Sequence, residues 1–335
     1  MGKTVVIAVR VPVKVKEEIE ELGFKPEMFP EKLCMSKDVV GELTAEGARL
    51  TGLKPGIPVC AGGIDAPVSA LGVGALEDGD MASMLGTSMC NGFIQGEPRL
   101  SPRLINYPYV AYDDRMLYSF AGIITAGYCP RWFRDQLGLQ EKAAAEALGV
   151  SPYELFDLEA GKVEPGASGL LFLPHLMVGE RAPWWDEDVR GVLLGLTVYH
   201  TRAHLYRAVL EGVAYALRYS IEVALEAGIP LKRIILVNGG ARSALWRQII
   251  ADVTGRELVY IAETQGAPLG DVILAGVGTG VLKDYSVVNE WLELTEIVKP
   301  RKDNHRLYES YYRVFKESYK HLAPVFKRLR ELQGS

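Results

Sequence analysis

The segment from Lys232 to Ile261, K-R-I-I-L-V-N-G-G-A-R-S-A-L-W-R-Q-I-I-A-D-V-T-G-R-E-L-V-Y-I, constrains the fold more than any other. An apolar, β-branched run ends on Asn238 and a glycine pair, an amphipathic stretch follows, Gly255 stops it, and a second apolar run begins. Strand, turn, helix and strand in that order form a βαβ unit, whose crossover is right-handed and whose strands are parallel. A parallel pair needs helices over its faces, so the chain is predicted to be α/β.

The flanking segments fit this reading. TVVIAV (4–9) and IPVCA (57–61) read as buried strands, and 14–22 and 43–51 as short helices. MASMLGTSMCNGFIQG (81–96) reads as a hairpin turning at Gly86-Thr87-Ser88. Residues 201–228 read as the longest helix, capped by Thr201, striped by Leu205, Val209, Val213, Ala216 and Leu217, and stopped at Gly228. A further helix is expected from about Leu269 to Val277. A terminal helix should bury Leu307, Tyr311, Phe315, Tyr319, Leu322, Phe326 and Leu329, with an interruption at Pro324.

With 335 residues, 48% of them hydrophobic and 24% charged, the chain has the make-up of a globular protein of about two domains. The Gly/Asp-rich stretch at 74–80 is the expected boundary, giving domains at 1–76 and 77–335. The 37 basic and 42 acidic residues leave a net charge of −5, which predicts neither a nucleic-acid nor an anionic-membrane partner. Cys34, Cys60, Cys90 and Cys129 are dispersed without a C-x-x-C pair, as expected of reduced thiols in a cytoplasmic protein. No apolar run approaches the roughly 18 residues of a membrane span, and Lys3 to Arg10 encloses too few apolar residues for a secretory signal.

Three glycine turns adjoin strands: Gly62-Gly63, Gly86-Thr87-Ser88 and Gly239-Gly240. Each is compatible with a plain turn. Together in an α/β chain they are also compatible with a phosphate or nucleotide site, because glycine lets backbone N–H groups approach phosphate oxygens. Asp65 follows the first pair at the head of an apolar helix, where it fits either a helix N-cap or a base at a ligand crevice. V-N-G-G-A-R-S lacks the third glycine of a dinucleotide fingerprint, and no Walker-type G-x-x-x-x-G-K-[ST] occurs. His200 and His204 have helical spacing without an acidic third ligand, which favours capping or surface roles over a metal site.

Gly191 to Glu211, G-V-L-L-G-L-T-V-Y-H-T-R-A-H-L-Y-R-A-V-L-E, resembles along its whole length the second signature of the FGGY family of carbohydrate kinases, xylulokinase-like branch. G-G-I-D-A-P-V-S-A-L-G (62–72), L-G-T-S (85–88), R-W-F-R-D (131–135), G-E-R-A-P-W-W-D (179–186) and G-G-A-R-S-A-L-W (239–246) follow in the family's order. The resemblance implies an actin/hexokinase-like (ribonuclease H-like) α/β ATPase fold with two domains facing a cleft. By motif it makes Asp65 the base that takes the sugar hydroxyl proton. It places Gly86, Thr87 and Ser88 on the ATP phosphates, Gly127 and Arg131 near the nucleotide, and Gly239, Gly240, Ala241 and Ala244 against the adenosine.

The departure is at the start. The family's early D-x-G-T hairpin has no counterpart, the only Asp before residue 60 being Asp38, followed by Val39-Val40. The resemblance therefore implies one complete C-terminal domain preceded by a remnant of the first, which buries little surface and leaves unpaired strand edges. A separately encoded N-terminal half or a second copy of the chain is expected to cover it. The implied activity is ATP- and Mg²⁺-dependent phosphorylation of a small sugar or polyol such as xylulose, with no metal ligand identified. The alternatives are a nucleotide-binding but catalytically silent subunit and a sugar-independent ATPase on the same fold.

Overall fold

Alternation along the central strands explains the layering. The computed structural model describes residues 23–25, 28, 34–111 and 115–333; the strand expected at 4–9 and the helix at 14–22 lie outside them. On β3 (Asp80–Leu85), Met81 and Leu85 point to one face and Ala82 to the other; on β9 (Arg233–Val237), Ile234 and Leu236 oppose Ile235 and Val237 in the same way. Both faces are apolar, so both carry helices.

The sheet also contains β4 (Met89–Gln95), β5 (Ile105–Pro108), β6 (Leu117–Ile123), β10 (Leu258–Tyr260) and β11 (Glu296–Val298), in the order β11-β10-β9-β3-β4-β6-β5. β9 runs parallel to β3 and to β10, and the remaining neighbours are antiparallel. The βαβ unit read from residues 232–261 is thus present, its crossover helix being α7 (Ala244–Thr254). One face packs against α6 (Arg202–Glu226), α7 and α10 (Lys302–Leu332) through Met81, Phe93, Val213, Ile250 and Phe315. The other packs against α2 (Asp65–Gly72) and α8 (Ala267–Gly278) through Ala82, Ile94, Leu71 and Ile273.

α2 and α8 approach closely because glycines face each other. A Cβ on Gly72 would overlap the Gly266 carbonyl, and one on Gly270 would overlap the Val68 carbonyl. This contact fixes α2, and with it Asp65, against the sheet.

Outside the main sheet, β1 (Val39–Glu42) and β2 (Pro58–Cys60) form an antiparallel pair beside α1 (Ala45–Thr51), and β7 (Leu171–Leu173) pairs with β8 (Val192–Leu194). Three short helices, α3 (Tyr128–Gln136), α4 (Leu139–Leu148) and α5 (Pro152–Ala160), follow β6, and α9 (Val288–Trp291) precedes β11.

Three expectations are corrected. IPVCA does form a strand, but not a buried one: Val59 is 41% exposed, because the pair β1–β2 has no third strand or covering helix on its outer side among the described residues. The terminal helix is not interrupted at Pro324 and is the longest in the chain. Pro324 and Lys320, whose carbonyl loses its donor, both lie on the solvent side, where water takes the place of the missing N–H. The expected stripe is buried at Phe315 and Phe326 and half-buried at Tyr311, Tyr319 and Leu322, but in the first turns the inward positions are shifted by one residue. Tyr308, Tyr312 and Phe315 face inward, while Leu307 and Leu329 are exposed, because the Tyr308 and Tyr312 hydroxyls reach acids on α6. α6 itself starts after Thr201 and is stopped by Gly228 at φ 78°, as expected.

Candidate active site

The hairpin β3–β4 turns at Gly86-Thr87-Ser88. Gly86 N–H closes the bend on the Ser88 carbonyl (2.9 Å), and Thr87 is exposed. The bend is tied to the start of α3: Gly127 N–H donates to the Gly86 carbonyl (3.1 Å) and Tyr128 N–H to the Thr87 carbonyl (3.0 Å). The N–H groups of Thr87 and Ser88 have no acceptor among the described residues.

Gly127 has to be glycine for steric rather than dihedral reasons. Its φ of −75° suits any residue, but a Cβ would overlap the Gly86 carbonyl oxygen. Gly127→Ala is therefore expected to break both ties and displace the bend. A cost of about 1–3 kcal/mol in urea denaturation is expected, typical of overpacking. Unchanged stability together with unchanged nucleotide affinity would contradict this geometry.

The second glycine turn lies alongside, because β9 pairs in register with β3, Val237 opposite Met84. Asn238, at φ 77°, directs the chain out of β9, with its amide beside Gly86. Gly240 packs under the first bend, where a Cβ would lie 2.5 Å from Leu85 Cγ, whereas a Cβ on Gly239 would meet open space. Ala244 is exposed at the first turn of α7, behind Ser243, whose hydroxyl accepts from Trp246 N–H (3.0 Å). Ala241 differs: its methyl is fully buried, its N–H bonds the Asn238 carbonyl and its own carbonyl accepts from Arg247 (2.6 Å). It holds the turn's shape. Arg131 projects from α3 with its side chain 58% exposed and only a 3.8 Å contact to Asp135, a pairing too loose and solvated to fix it.

Asp65 is not a cap. Ile64 occupies the cap position of α2, and Asp65 is the first helical residue, exposed, with one carboxylate oxygen accepting from Ala66 N–H (2.8 Å). Its neighbourhood is reported by Cys90, two residues beyond the bend. Burial raises the Cys90 thiol above its ordinary range; the Arg181 guanidinium and a hydrogen bond from Ser88 pull it down, and the Asp65 carboxylate pushes it up. Asp65 and Arg181 thus lie within electrostatic reach of the Cys90 thiol, which Ser88 of the bend also contacts. Cys90 serves as a local probe with defined signs. Asp65→Asn lowers its pKa and speeds its alkylation by iodoacetamide at pH 8, while Arg181→Gln raises it and slows the reaction. Peptide mapping by mass spectrometry checks this, and the reverse order of rates would contradict the arrangement.

Arg181, Cys90 and Asn238 carry no warning in local pattern. Arg181 stands within G-E-R-A-P-W-W-D, but no periodicity or spacing signals its place. His204 takes part in the cap of α6, accepting from Thr201 N–H (3.3 Å), whereas His200 closes the turn before it, accepting from Thr197 N–H (2.9 Å). Among the described residues no cluster of His, Cys, Asp or Glu could hold a metal ion, and no helix is long and apolar enough to cross a membrane.

A seven-stranded sheet with helices on both faces, and glycine bends meeting at strand ends beside a lone carboxylate, has the actin/hexokinase-like α/β architecture. Residues 81–279 match the family model described as the C-terminal domain of the FGGY family of carbohydrate kinases, and the chain belongs to that family. Among similar curated proteins, the gluconokinase of Bacillus licheniformis is 31% identical over 322 residues, 96% of this chain and 62% of that protein. The xylulose kinase of Staphylococcus epidermidis is 32% identical over 291 residues, 86% of this chain and 56% of that protein. The crystal structure of xylulose kinase from Rhodospirillum rubrum superposes with a TM-score of 0.82 at 29% identity, covering 95% of this chain and 61% of that one. The chain thus spans about 60% of the length of the relatives it matches.

Proposed function

We propose that the chain is the nucleotide-binding, catalytic portion of an ATP-dependent sugar kinase that phosphorylates a hydroxyl of a small sugar or polyol. The observation that carries this reading is the Gly86–Ser88 bend, tied to Gly127 and the start of α3, with Asp65 within electrostatic reach of Cys90 just beyond it. The N–H groups of Thr87 and Ser88 and the start of α3 suit phosphate oxygens. The open face of Gly239 and the exposed Ala244 leave room for an adenosine, with Gly240 and Ala241 setting the turn beneath it and Arg131 free to swing toward phosphate.

ATP, accompanied by Mg²⁺ held through phosphate and water oxygens, supplies the phosphoryl group. Asp65 accepts the acceptor hydroxyl's proton, and the bend holds the phosphates in place. Phosphoryl transfer asks the protein mainly for position and charge, and a rigid glycine bend beside a carboxylate meets that need. The gluconokinases and xylulose kinases among the relatives favour a sugar acid or ketose as acceptor, and a cytoplasmic setting suits four free thiols.

A covering partner for the β1–β2 region, either a separately encoded N-terminal half or a second copy, is part of the same proposal. Val39, Val40, Leu53, Ile57, Val59 and Ile64 are exposed there, beside an open groove of about 300 Å³ between β2 and α8. The exposed apolar side chains on β1–β2 favour one second reading, a nucleotide-binding subunit that is silent until a partner covers them.

The test is thermal denaturation with ATP, followed by coupled ADP release over a panel containing xylulose and gluconate. At 100 times Kd, ATP should stabilise the fold by about 2.7 kcal/mol. No stabilisation would defeat both readings, binding without turnover would favour the silent subunit, and sugar-independent hydrolysis would point to a plain ATPase.

A further inference from the structure

We propose that Arg181 is a catalytic residue that contacts the phosphoryl group in transit; this rests on the kinase reading above. Its backbone is bracketed on β6. The Ala182 carbonyl accepts from Gly122 N–H (2.9 Å), and the buried Glu180 carboxylate accepts from Ile124 N–H (3.2 and 3.1 Å) and lies 3.4 Å from the His175 ring. The side chain then has one course. Its guanidinium stacks 4.9 Å from the centre of the Phe120 ring, with Nε over Gly122, where a Cβ would come within 3.3 Å of it.

β6 lies against β4 so that Gly122 is opposite Cys90 and Phe120 opposite Gly92. Arg181 therefore stands on the sheet face that carries Cys90, two residues from Ser88. The same β6 end continues to Gly127, which holds the bend. Among the described residues this exposed guanidinium has no carboxylate partner, although most arginines in the fold do. An aromatic ring holds it from one side and leaves its donor edge unused.

The chemistry calls for such a group. In transfer, the acceptor oxygen forms a bond to the γ-phosphorus, the bond from phosphorus to the β,γ-bridging oxygen breaks, and its electron pair leaves with ADP. The acceptor's proton goes to Asp65. Negative charge spread over the equatorial phosphoryl oxygens is met by a planar, permanently charged fork, which arginine supplies. The Asp65 carboxylate cannot meet it, and Thr87 and Ser88 offer only neutral donors.

The test measures affinity for MgADP alone and for MgADP with aluminium fluoride, a mimic of the transferring group, by calorimetry on the full chain with saturating xylulose or gluconate. In the unaltered protein, fluoride should tighten binding. Arg181→Gln should lose about 10- to 100-fold of that gain, the scale of one hydrogen bond to a charged group, while affinity for MgADP alone stays within about twofold. Arg181→Met keeps the stack on Phe120 without the charge and should behave like Arg181→Gln, which separates lost charge from lost packing. The proposal is overturned if either variant keeps the full gain, or if the unaltered chain binds MgADP with no gain. Failure of the unaltered chain to bind MgADP at all would instead overturn the nucleotide reading beneath it.

Discussion

Asp65→Asn should lower sugar-dependent ADP release by about 10²- to 10⁴-fold, the usual contribution of a positioned general base, while ATP continues to stabilise the fold as before. The substitution is well suited to separating chemistry from structure. Asn keeps the oxygen that accepts from Ala66 N–H, and the helix start does not depend on the side chain, since Ile64 stands at the cap position without a side-chain cap bond. Asp65 is exposed and forms no ion pair among the described residues, so no buried charge is stranded by its removal. What is lost is the negative charge and, with it, the ability to accept a proton. Turnover within threefold of the unaltered rate, measured with an acceptor that the parent protein phosphorylates, would remove Asp65 from the mechanism.

Arg207→Met should cost about 3–5 kcal/mol, the penalty for stranding one member of a buried ion pair. Arg207 and Glu211 lie one turn apart on α6, with side chains 6% and 1% exposed and 2.7 Å between Nε and Oε1. Arg207 also donates to the Ala160 carbonyl (3.1 Å) and the Tyr308 hydroxyl (3.1 Å), and Glu211 accepts from Tyr308 (2.7 Å) and Gly166 N–H (3.0 Å). One cluster thus joins α5, α6 and α10. Burial already pushes the Glu211 carboxyl above its ordinary 4.5, with Arg207 the leading opposing influence. Without the guanidinium it rises further. A carboxyl whose folded pKa is raised adds stability below its unfolded pKa and loses it as pH rises through the folded value. The variant's deficit should therefore be small below about pH 4.5 and full at pH 7. Urea midpoints at both values check this; an equal deficit at both would show that packing, not charge, is responsible.

The parts of the candidate site stood out in the sequence because glycine and acid positions are local signals. The bend at Gly86–Ser88, the turn at Gly239-Gly240 and the carboxylate at Asp65 each announce themselves by residue type at a strand end. The choice between cap and free carboxylate for Asp65 was not legible, since a shift of one residue in the helix start decides it. Arg181 was invisible as a partner for a related reason. It comes near Cys90, 91 positions away in the chain, only because β6 pairs with β4 in one register, and such a separation leaves no local trace. The apolar stripe of α10 was correctly placed at Phe315 and Phe326, yet over its first turns the inward phase depended on acids of α6 drawing in Tyr308 and Tyr312.

Period, stops and turns were written in the chain itself: the alternation on β3 and β9, the βαβ order from 232 to 261, the glycine ends of α6 and α7, and the bend that follows β3. Such features reflect backbone sterics and the two-fold or 3.6-fold repeat of side chains, which act over a few residues. Which face of a helix is wet, whether a strand such as Pro58–Cys60 is covered, and which charges share a thiol were settled only by packing. Those outcomes depend on the neighbours that the completed fold brings within reach, and burial and electrostatic influence belong to that surrounding rather than to any segment alone.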